Sequence, residues 1–237
     1  MSNHTFEFKQ FSIKQDKCAM KVGTDAVLLG AWVNIDGAKN VLDIGTGTGI
    51  IALMIAQKST ILIDAIDIDK EACIQAQENV NGCKWSDRIK VQHISMQELS
   101  LQSKKKFELI VSNPPYFVDS SKALEEARTT ARHTDFLSYD ELIEGISKLL
   151  TSEGKFCVIL PFKEGEMFRD MAQEKSLFLT KLTRIKTRID KTEKRLLMQF
   201  EFKRNTFNEN SIVIEKDERH SYSNEYIELT KDYYLGF

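Results

Sequence analysis

The stretch Asp43-Ile44-Gly45-Thr46-Gly47-Thr48-Gly49 decides the fold of this chain. It includes the end of a short apolar run at 41–44 and precedes a run at 50–57 that is apolar on nearly every side. Three glycines between a strand and a helix let a ligand approach the backbone closely. The pattern therefore predicts a strand, a tight ligand-binding loop and a buried helix.

The segments on either side of this loop alternate between strand-like and helix-like patterns. Apolar runs predict further strands at 61–66, 89–94, 107–112 and 155–160, and apolar residues at helical spacing predict helices at 70–81 and 139–150. Such alternation is typical of parallel sheets with right-handed crossovers and helices on both faces. The predicted fold class is therefore α/β.

The last third of the chain has a different pattern. Alternating runs at 177–188 and 196–203 have no helix between them, which predicts an antiparallel hairpin. A further short strand is expected at 211–215, and a terminal helix at 225–234 with Tyr226, Leu229 and Tyr233 on one face. The chain has no internal repeat, low-complexity tract or Pro/Gly/Ser linker. We therefore expect one domain over 1–237.

Composition narrows the class of protein. The net charge of −2 does not by itself favour nucleic-acid binding, so a polyanion would need a local basic patch. Four cysteines without a CxxC pair argue against a disulfide scaffold, and no metal-ligand spacing is present. No apolar run reaches the roughly 18 residues needed to cross a bilayer. These features predict a soluble cytoplasmic protein without a metal or a membrane partner.

Two carboxylates near the glycine loop indicate the kind of ligand. Asp67 ends the next predicted strand, close to the spacing of about 20 residues expected for a carboxylate that binds ribose hydroxyls. The glycines follow a GxGxG pattern rather than GxGxxG, and Asp43 lies just before them. An acidic group there suits a ligand with a cationic amino end better than a pyrophosphate. The pattern favours a sulfonium nucleoside over a nicotinamide or flavin dinucleotide.

The segment Asn113-Pro114-Pro115-Tyr116 follows the predicted strand at 107–112. Consecutive prolines stiffen the backbone, so the carbonyl between them and the Asn113 amide oxygen can be fixed as two acceptors. Both could accept from one exocyclic amino group, whose ring would stack on Tyr116. The segment thus predicts methyl transfer to a planar nitrogen. The alternative is a diproline turn that merely ends a strand.

Basic residues are frequent in the predicted hairpin. Alternation places Arg184, Lys186 and Arg188 on one strand face, which could bind RNA phosphates or could simply be a solvated edge. Arg132 and His133 follow the Asn-Pro-Pro-Tyr segment, where they could cover a bound base or serve surface packing.

These motifs resemble the class I S-adenosylmethionine-dependent methyltransferases. Within that class the chain resembles the bacterial valine-tRNA adenine-37 N6-methyltransferases over nearly its whole length. The resemblance is carried by the quoted motifs and by four further stretches: 8–11, 18–25, 29–32 and 222–237. The segment Ala76-Gln77-Glu78-Asn79 fits it as well.

The resemblance implies a Rossmann-like sheet of seven strands, in the order 3-2-1-4-5-7-6 with one antiparallel strand. It also implies methylation of an unpaired adenine in a tRNA anticodon loop with S-adenosylmethionine. Residues 1–40 would extend over the cofactor site, and 177–237 would supply the hairpin and the C-terminal helix. The cofactor residues implied are Lys21, Thr24, Asp43, Gly45, Thr46, Gly47, Asp67, Ile68, Ser95 and Met96. Ser95 is a departure, because related enzymes often carry Asp there.

Two other functions remain open at this point. A glutamine methyltransferase acting on release factors would meet an amide with the same two hydrogens, although those enzymes usually carry a helical domain before the glycine loop. A non-catalytic cofactor- or RNA-binding module would not need the acceptor pair at Asn113.

Overall fold

The protein is built around a long mixed sheet. Its computed structural model describes residues 4–18, 20–114, 137–216 and 218–237. The strands are β1 (Thr5–Glu7), β2 (Ser12–Lys14), β3 (Asn40–Ile44), β4 (Leu62–Asp67), β5 (Ile89–His93), β6 (Phe107–Ser112), β7 (Leu150–Pro161), β8 (Phe178–Arg188), β9 (Glu193–Glu201) and β10 (Asn208–Glu215). The helices are α1 (Thr24–Trp32), α2 (Ile50–Gln57), α3 (Lys70–Asn81), α4 (Met96–Gln102), α5 (Tyr139–Leu149), α6 (Phe162–Glu174) and α7 (Asn224–Thr230). A short 3-10 helix, Ser86–Arg88, precedes β5.

The main sheet has the strand order β10-β8-β9-β7-β6-β3-β4-β5. Strands β7, β6, β3, β4 and β5 pair in parallel, and β9 runs antiparallel to both of its neighbours. The predicted α/β class and the order of seven strands are therefore confirmed. The predicted strand count is one too small, because β10 pairs in parallel with the outer edge of β8 and so satisfies its backbone groups.

Both faces of the sheet are covered, as alternating strands and helices require. Helix α2 is apolar all round and its first seven residues are buried, since it lies between the sheet and α1. Helix α5 covers the other face with a single apolar stripe, and Ser138 and Glu141 form a capping box at its start. The two apolar layers fix the strand ends that carry the loops of the functional site.

The two ends of the chain pack against each other beside α2. The hairpin β1–β2 contributes Phe6 and Phe8, whose rings contact Tyr234, and Tyr233 donates a hydrogen bond to the Met54 carbonyl at 3.2 Å. The predicted C-terminal helix is confirmed, although it ends at Thr230 and a turn carries Tyr233. The sequence patterns did not predict the β1–β2 hairpin or helices α1, α4 and α6.

A partly buried lysine holds α1 against α2. Lys58 follows α2, and its Nζ donates to the carbonyls of Gly30, Ala31 and Val33 at 2.9, 3.0 and 2.7 Å. These carbonyls belong to the last turn of α1 and its cap, where acceptors otherwise lack partners. Burial lowers the pKa of Lys58 to about 8, and the nearby Lys181 acts in the same direction. Positive charge at a helix C-terminus is favourable.

Replacing Lys58 by Met is expected to destabilise the protein by about 2–4 kcal/mol, because three partly buried carbonyls lose a charged donor while the apolar stem is kept. Urea unfolding followed by circular dichroism would measure the loss. Lys39→Met is the matched control, since Lys39 is exposed and its change should stay within about 0.5 kcal/mol. Equal stability of the two variants would contradict the capping role.

Candidate active site

A cavity of about 630 Å³ lies at the edge of the sheet where β3, β4, β5 and β6 end. Its volume is within the range of about 300–1,000 Å³ that is usual for small-molecule sites. Since carboxyl ends of parallel strands meet at one edge, residues far apart in the chain line one cavity. Ten of the residues singled out from the sequence line it: Lys21, Gly45, Thr46, Gly47, Asp67, Ile68, Ser95, Met96, Asn113 and Pro114.

The glycine loop between β3 and α2 takes a conformation that only glycine adopts easily. Gly45, Gly47 and Gly49 have φ angles of 69°, 55° and 81°. A Cβ at Gly45 or Gly47 would meet no atom of the described chain within 4 Å, so the backbone there borders open space. At Gly49 it would contact the Ala76 side chain at 3.4 Å, and this glycine therefore serves the packing of α3.

Asp67, at the end of β4, connects two of the loops. Its Oδ2 accepts from the Gly47 amide and its Oδ1 from the Asp69 amide, both at 2.9 Å. Burial raises the pKa of Asp67, and the two backbone amides partly offset this. The carboxylate thus holds the glycine loop in place and still lines the cavity. Ile68 beside it is 48% exposed and forms part of the rim.

Asp43 is fully buried at the end of β3 and, unlike its neighbours Ile44 and Gly45, does not line the cavity. Its Oδ2 accepts from the Thr46 hydroxyl at 2.7 Å, while Oδ1 has no hydrogen-bond partner among the described residues. Burial raises the pKa of Asp43 to about 7, with the Thr46 hydroxyl and the Ala52 amide opposing the rise. The site therefore has a buried carboxyl group directly behind its floor.

Ser95 and Met96 form the wall that follows β5. Ser95 caps α4, since its hydroxyl accepts from the Glu98 amide at 3.1 Å and donates to the Glu98 carboxylate at 2.9 Å. This capping box explains why serine is suited to the position where Asp was the expected residue. Met96 is buried and packs against Gly145, where a Cβ would approach its Cε to 2.5 Å.

Asn113 and Pro114 continue directly from β6 into the cavity. The Asn113 Oδ1 is shielded from solvent and has no hydrogen-bond partner among the residues described. A buried acceptor without a donor costs about 1–3 kcal/mol. Other described side chains, such as that of Asn40, also have such an atom, but among them Asn113 alone lines the cavity, where a ligand could supply the donor. The Ser112 hydroxyl donates to the Ile44 carbonyl at 3.0 Å and so ties the ends of β6 and β3 together. Tyr116, Arg132 and His133 lie outside the described residues.

The segment before α1 and the first turn of α1 form the opposite wall of the cavity. Lys21, Gly23 and Asp25 line it, whereas Thr24 between them does not. Asp25 accepts from Arg195 Nε of β9 at 2.7 Å, which joins this wall to the C-terminal hairpin.

Three side-chain amides hold this segment, a role that the sequence did not predict for any of them. Asn79 of α3 exchanges hydrogen bonds with the backbone of Lys14 and donates to the Thr48 carbonyl at 2.9 Å. Gln75 accepts from the Lys17 amide, and Gln15 from the Val22 amide. Polar residues on the buried side of a predicted helix were the available signal for Gln75 and Asn79.

The basic strand β8 carries fewer free charges than its sequence suggests. Arg184 pairs with Glu209 at 2.6 Å, Lys186 with Glu193 at 3.6 Å and Arg188 with Asp190 at 3.5 Å. Strand alternation does bring these cations near one another, but each has a carboxylate at hand.

Two classes of chemistry receive no support from the described parts of the chain. Burial raises the pKa of the cavity-lining Cys18 thiol to about 11, which disfavours a nucleophilic thiolate. Within residues 4–18, 20–114, 137–216 and 218–237, no group of His, Cys, Asp or Glu side chains could hold a metal ion. The helices within these ranges are too short or too polar to cross a membrane.

Comparison with known proteins gives a consistent result. The family model described as the methyltransferase small domain matches residues 18–167. A tRNA1(Val) (adenine(37)-N6)-methyltransferase from Trichodesmium erythraeum is 47% identical over the full length of both chains. One of the same name from Parabacteroides distasonis is 46% identical over 99% of each chain.

Solved structures share the fold at low sequence identity. A predicted O-methyltransferase from Agrobacterium tumefaciens superposes with a TM-score of 0.69 at 17% identity, covering 88% of this chain and 96% of its own. The N-methyltransferase NodS from Bradyrhizobium japonicum, solved with S-adenosyl-L-homocysteine, gives 0.52 at 17% identity, covering 73% and 82%. These similarities agree with the features of the site, which are a glycine loop, a carboxylate at the end of the second parallel strand and Asn-Pro after the fourth. The protein therefore belongs to the methyltransferase small domain family.

Proposed function

We propose that this protein transfers the methyl group of S-adenosylmethionine to the N6 amino group of adenine 37 in the anticodon loop of a valine tRNA. The full-length similarity to relatives named for this reaction supports the substrate. The observation that carries the chemistry is the buried Asn113 oxygen, which has no hydrogen-bond partner among the described residues and lies in the cavity that the glycine loop also lines. A tRNA substrate also supports the cytoplasmic location predicted from the sequence.

S-adenosylmethionine supplies a methyl group on a positively charged sulfur. The residues present fit such a ligand, because Asp67 and Asp69 line the cavity, Asp43 lies behind it, and the Gly45 and Gly47 backbone leaves room for close approach. Asp67 would accept from the ribose hydroxyls, and Gly45, Thr46 and Gly47 would border the methionine portion. Ile68, Ser95 and Met96 would contact the adenine, and Lys21 would close the site from the segment before α1.

Asn113 would accept a hydrogen bond from the N6 amino group, together with the backbone carbonyl of Pro114. The adenine N6 lone pair is delocalised into the ring, so two acceptors on its hydrogens favour a pyramidal nitrogen whose lone pair faces the methyl group. The chain then contributes mainly by positioning the reactants for in-line displacement. The proton becomes acidic only after transfer, and no base with a special pKa is required beforehand. Tyr116 would stack on the base.

An anticodon-loop base suits a site of this kind. Loop bases are unstacked more easily than duplex bases, and the cavity opens at the sheet edge rather than in the interior. Arg184, Lys186, Arg188, Arg132 and His133 remain candidate RNA contacts. Each of the three cations on β8 would have to leave its carboxylate partner in order to bind a phosphate. Residues 1–40 would act as the cover of the cofactor site within one domain of 1–237.

Substrate competition tests the proposal. The purified protein would be incubated with methyl-labelled S-adenosylmethionine and either unmodified valine tRNA or a release factor. Label in tRNA, recovered as N6-methyladenosine at position 37, is the expected result. Label only in the release factor would assign the protein to glutamine methylation, and label in neither would indicate a binding module.

Asn113→Ala is expected to reduce the rate of transfer at least a hundredfold while changing S-adenosylmethionine affinity less than about threefold, because the lost acceptor acts on the adenine amino group. Single-turnover kinetics and calorimetric titration would separate the two quantities. Asn40→Ala is the control, since the Asn40 side chain lies at the opposite edge of the sheet. Loss of cofactor binding together with transfer would make Asn113 a cofactor or folding residue.

Cofactor affinity is expected to fall below neutral pH because of Asp43. A cationic ligand favours the ionised carboxylate, whose pKa in the free protein is raised to about 7 by burial. The Kd for S-adenosylmethionine should therefore rise about tenfold from pH 8 to pH 6. Asp43→Asn should bind more weakly at pH 8 and lose this dependence, whereas the exposed control Asp36→Asn should retain it.

Asp43 is expected to affect the stability of the free protein in the opposite direction: cofactor affinity rises with pH, whereas stability falls. In the unfolded chain Asp43 ionises near pH 3.9, whereas in the fold it keeps its proton to about pH 7, so its contribution to stability falls as pH rises through that window. Asp43→Asn should therefore have a higher Tm than the wild type at pH 8 without ligand. A lower Tm together with an unchanged pH profile of Kd would refute this account of Asp43.

A further inference from the structure

The turn between β8 and β9 extends beyond the end of β7 at the edge of the sheet that carries the cavity, and on its outer side β10 pairs with β8 as far as Arg188. Pairing of β9 with β7 ends at Arg195 opposite Pro161, yet β8 and β9 continue to pair up to Lys186 opposite Glu193. A register shift between Ile185 and Lys186 marks a bulge, which increases the local twist. We call residues 188–194 the hairpin tip.

The hairpin tip has an excess of positive charge in a protein whose net charge is −2. Arg188 and Lys191 share one carboxylate, Asp190, at 3.5 and 3.2 Å. Lys194 is exposed and makes no ion pair with any described residue, and Glu193 is already engaged by Lys186. The Arg188 Nε is shielded from solvent and donates no hydrogen bond within the described chain. Three cations thus face one available carboxylate, which differs from the balanced pairs lower on β8.

The tip is close to the candidate active site. Strand β9 is separated from β6, which leads into Asn113, only by β7, so the lateral distance is about 10 Å at the usual strand spacing. At the root of the tip, Arg195 binds Asp25, and Asp25 lines the cavity. If one nucleotide of a polyanionic strand entered the cavity, the neighbouring nucleotides would therefore lie close to the positive charge of the hairpin tip.

The tip also exposes an apolar side chain. Ile189 is 67% exposed at the turn, between Arg188 and Asp190. A hairpin that only had to stay soluble would gain nothing from isoleucine at this place. Single-stranded RNA offers both partners at once, because its phosphates are anionic and its unstacked bases present apolar faces.

We propose that the hairpin tip binds the anticodon-loop strand next to the target adenine, with Arg188, Lys191 and Lys194 at phosphates and Ile189 against an unstacked base. This inference rests on the proposed tRNA substrate. It assigns the phosphate contacts to the tip rather than to Arg184 and Lys186, whose charges are neutralised by Glu209 and Glu193.

The test compares two double variants that remove the same charge. Lys191→Ala with Lys194→Ala alters the tip, whereas Lys39→Ala with Lys90→Ala alters exposed lysines at the amino ends of β3 and β5, on the opposite edge of the sheet. Binding of unmodified valine tRNA would be measured from 50 to 200 mM salt. The slope of log K against log salt should become less steep by about 1.4 in the tip variant, since each of the two lost phosphate contacts contributes about 0.7. The control slope should not change.

Two further measurements complete the test. Ile189→Ser should weaken tRNA binding severalfold without changing the salt slope, and S-adenosylmethionine affinity should be the same in all variants. An unchanged slope in the tip variant, with normal transfer to tRNA by the wild type, would overturn the inference and leave the proposed function intact. Absence of transfer to any tRNA by the wild type would instead overturn the proposed function.

Discussion

The parallel pairing of β3 between β4 and β6 is the constraint on which the rest of the structure depends. It directs the glycine loop, the Asp67 carboxylate and the Asn113 side chain to one edge of the sheet. Direct hydrogen bonds then connect the three strand ends, from Gly45 and Thr46 to the Ile66 carbonyl and from Ser112 to the Ile44 carbonyl. A shift of one strand by one residue would turn its functional side chain to the other face.

The same edge concentrates groups that are costly in the free protein. Asp43 is buried without full compensation, and the Asn113 oxygen lacks a donor among the described residues. The surrounding core is well packed, with α2 buried on all sides and Lys58 fixing α1 against it. Stability elsewhere therefore offsets local free-energy costs that ligands are expected to relieve. Bound cofactor should stabilise the fold accordingly.

Sequence patterns predicted the elements whose signals are local. Helices α2 and α3 and strand β6 have the predicted bounds, because apolar periodicity and glycine positions lie within each segment. A short strand was predicted at 211–215, but its parallel pairing with β8, which extends the sheet, was not. Pairing between distant segments leaves no local pattern in the sequence. Helix α1 was missed because its apolar residues show no helical periodicity and, unlike α2, it is not preceded by a strand and a glycine-rich loop.

Within the site, the same distinction holds between chemistry and placement. Glycine, aspartate and asparagine indicated the chemistry, and the structure brings them to one cavity. Side-chain directions, which the sequence does not show, determine three further features. Asp43 lies behind the cavity, Ser95 caps α4 and Asn79 anchors β2. The balance of Arg184 by Glu209 likewise requires the strand register, since the two residues belong to different strands.

Strand β10 has a consequence for self-association. It forms one end of the main sheet, so the outer backbone groups of its first half are a potential template for a strand from another molecule. Near the end of the strand, Ile214 and Glu215 are already engaged by Ser223 and Tyr222. Its first half reads Asn208, Glu209, Asn210 and Ser211, residue types with little tendency to extend a sheet, and all four are exposed. A polar, charged border of this kind discourages edge-to-edge polymerisation while the inner side of the strand completes the fold.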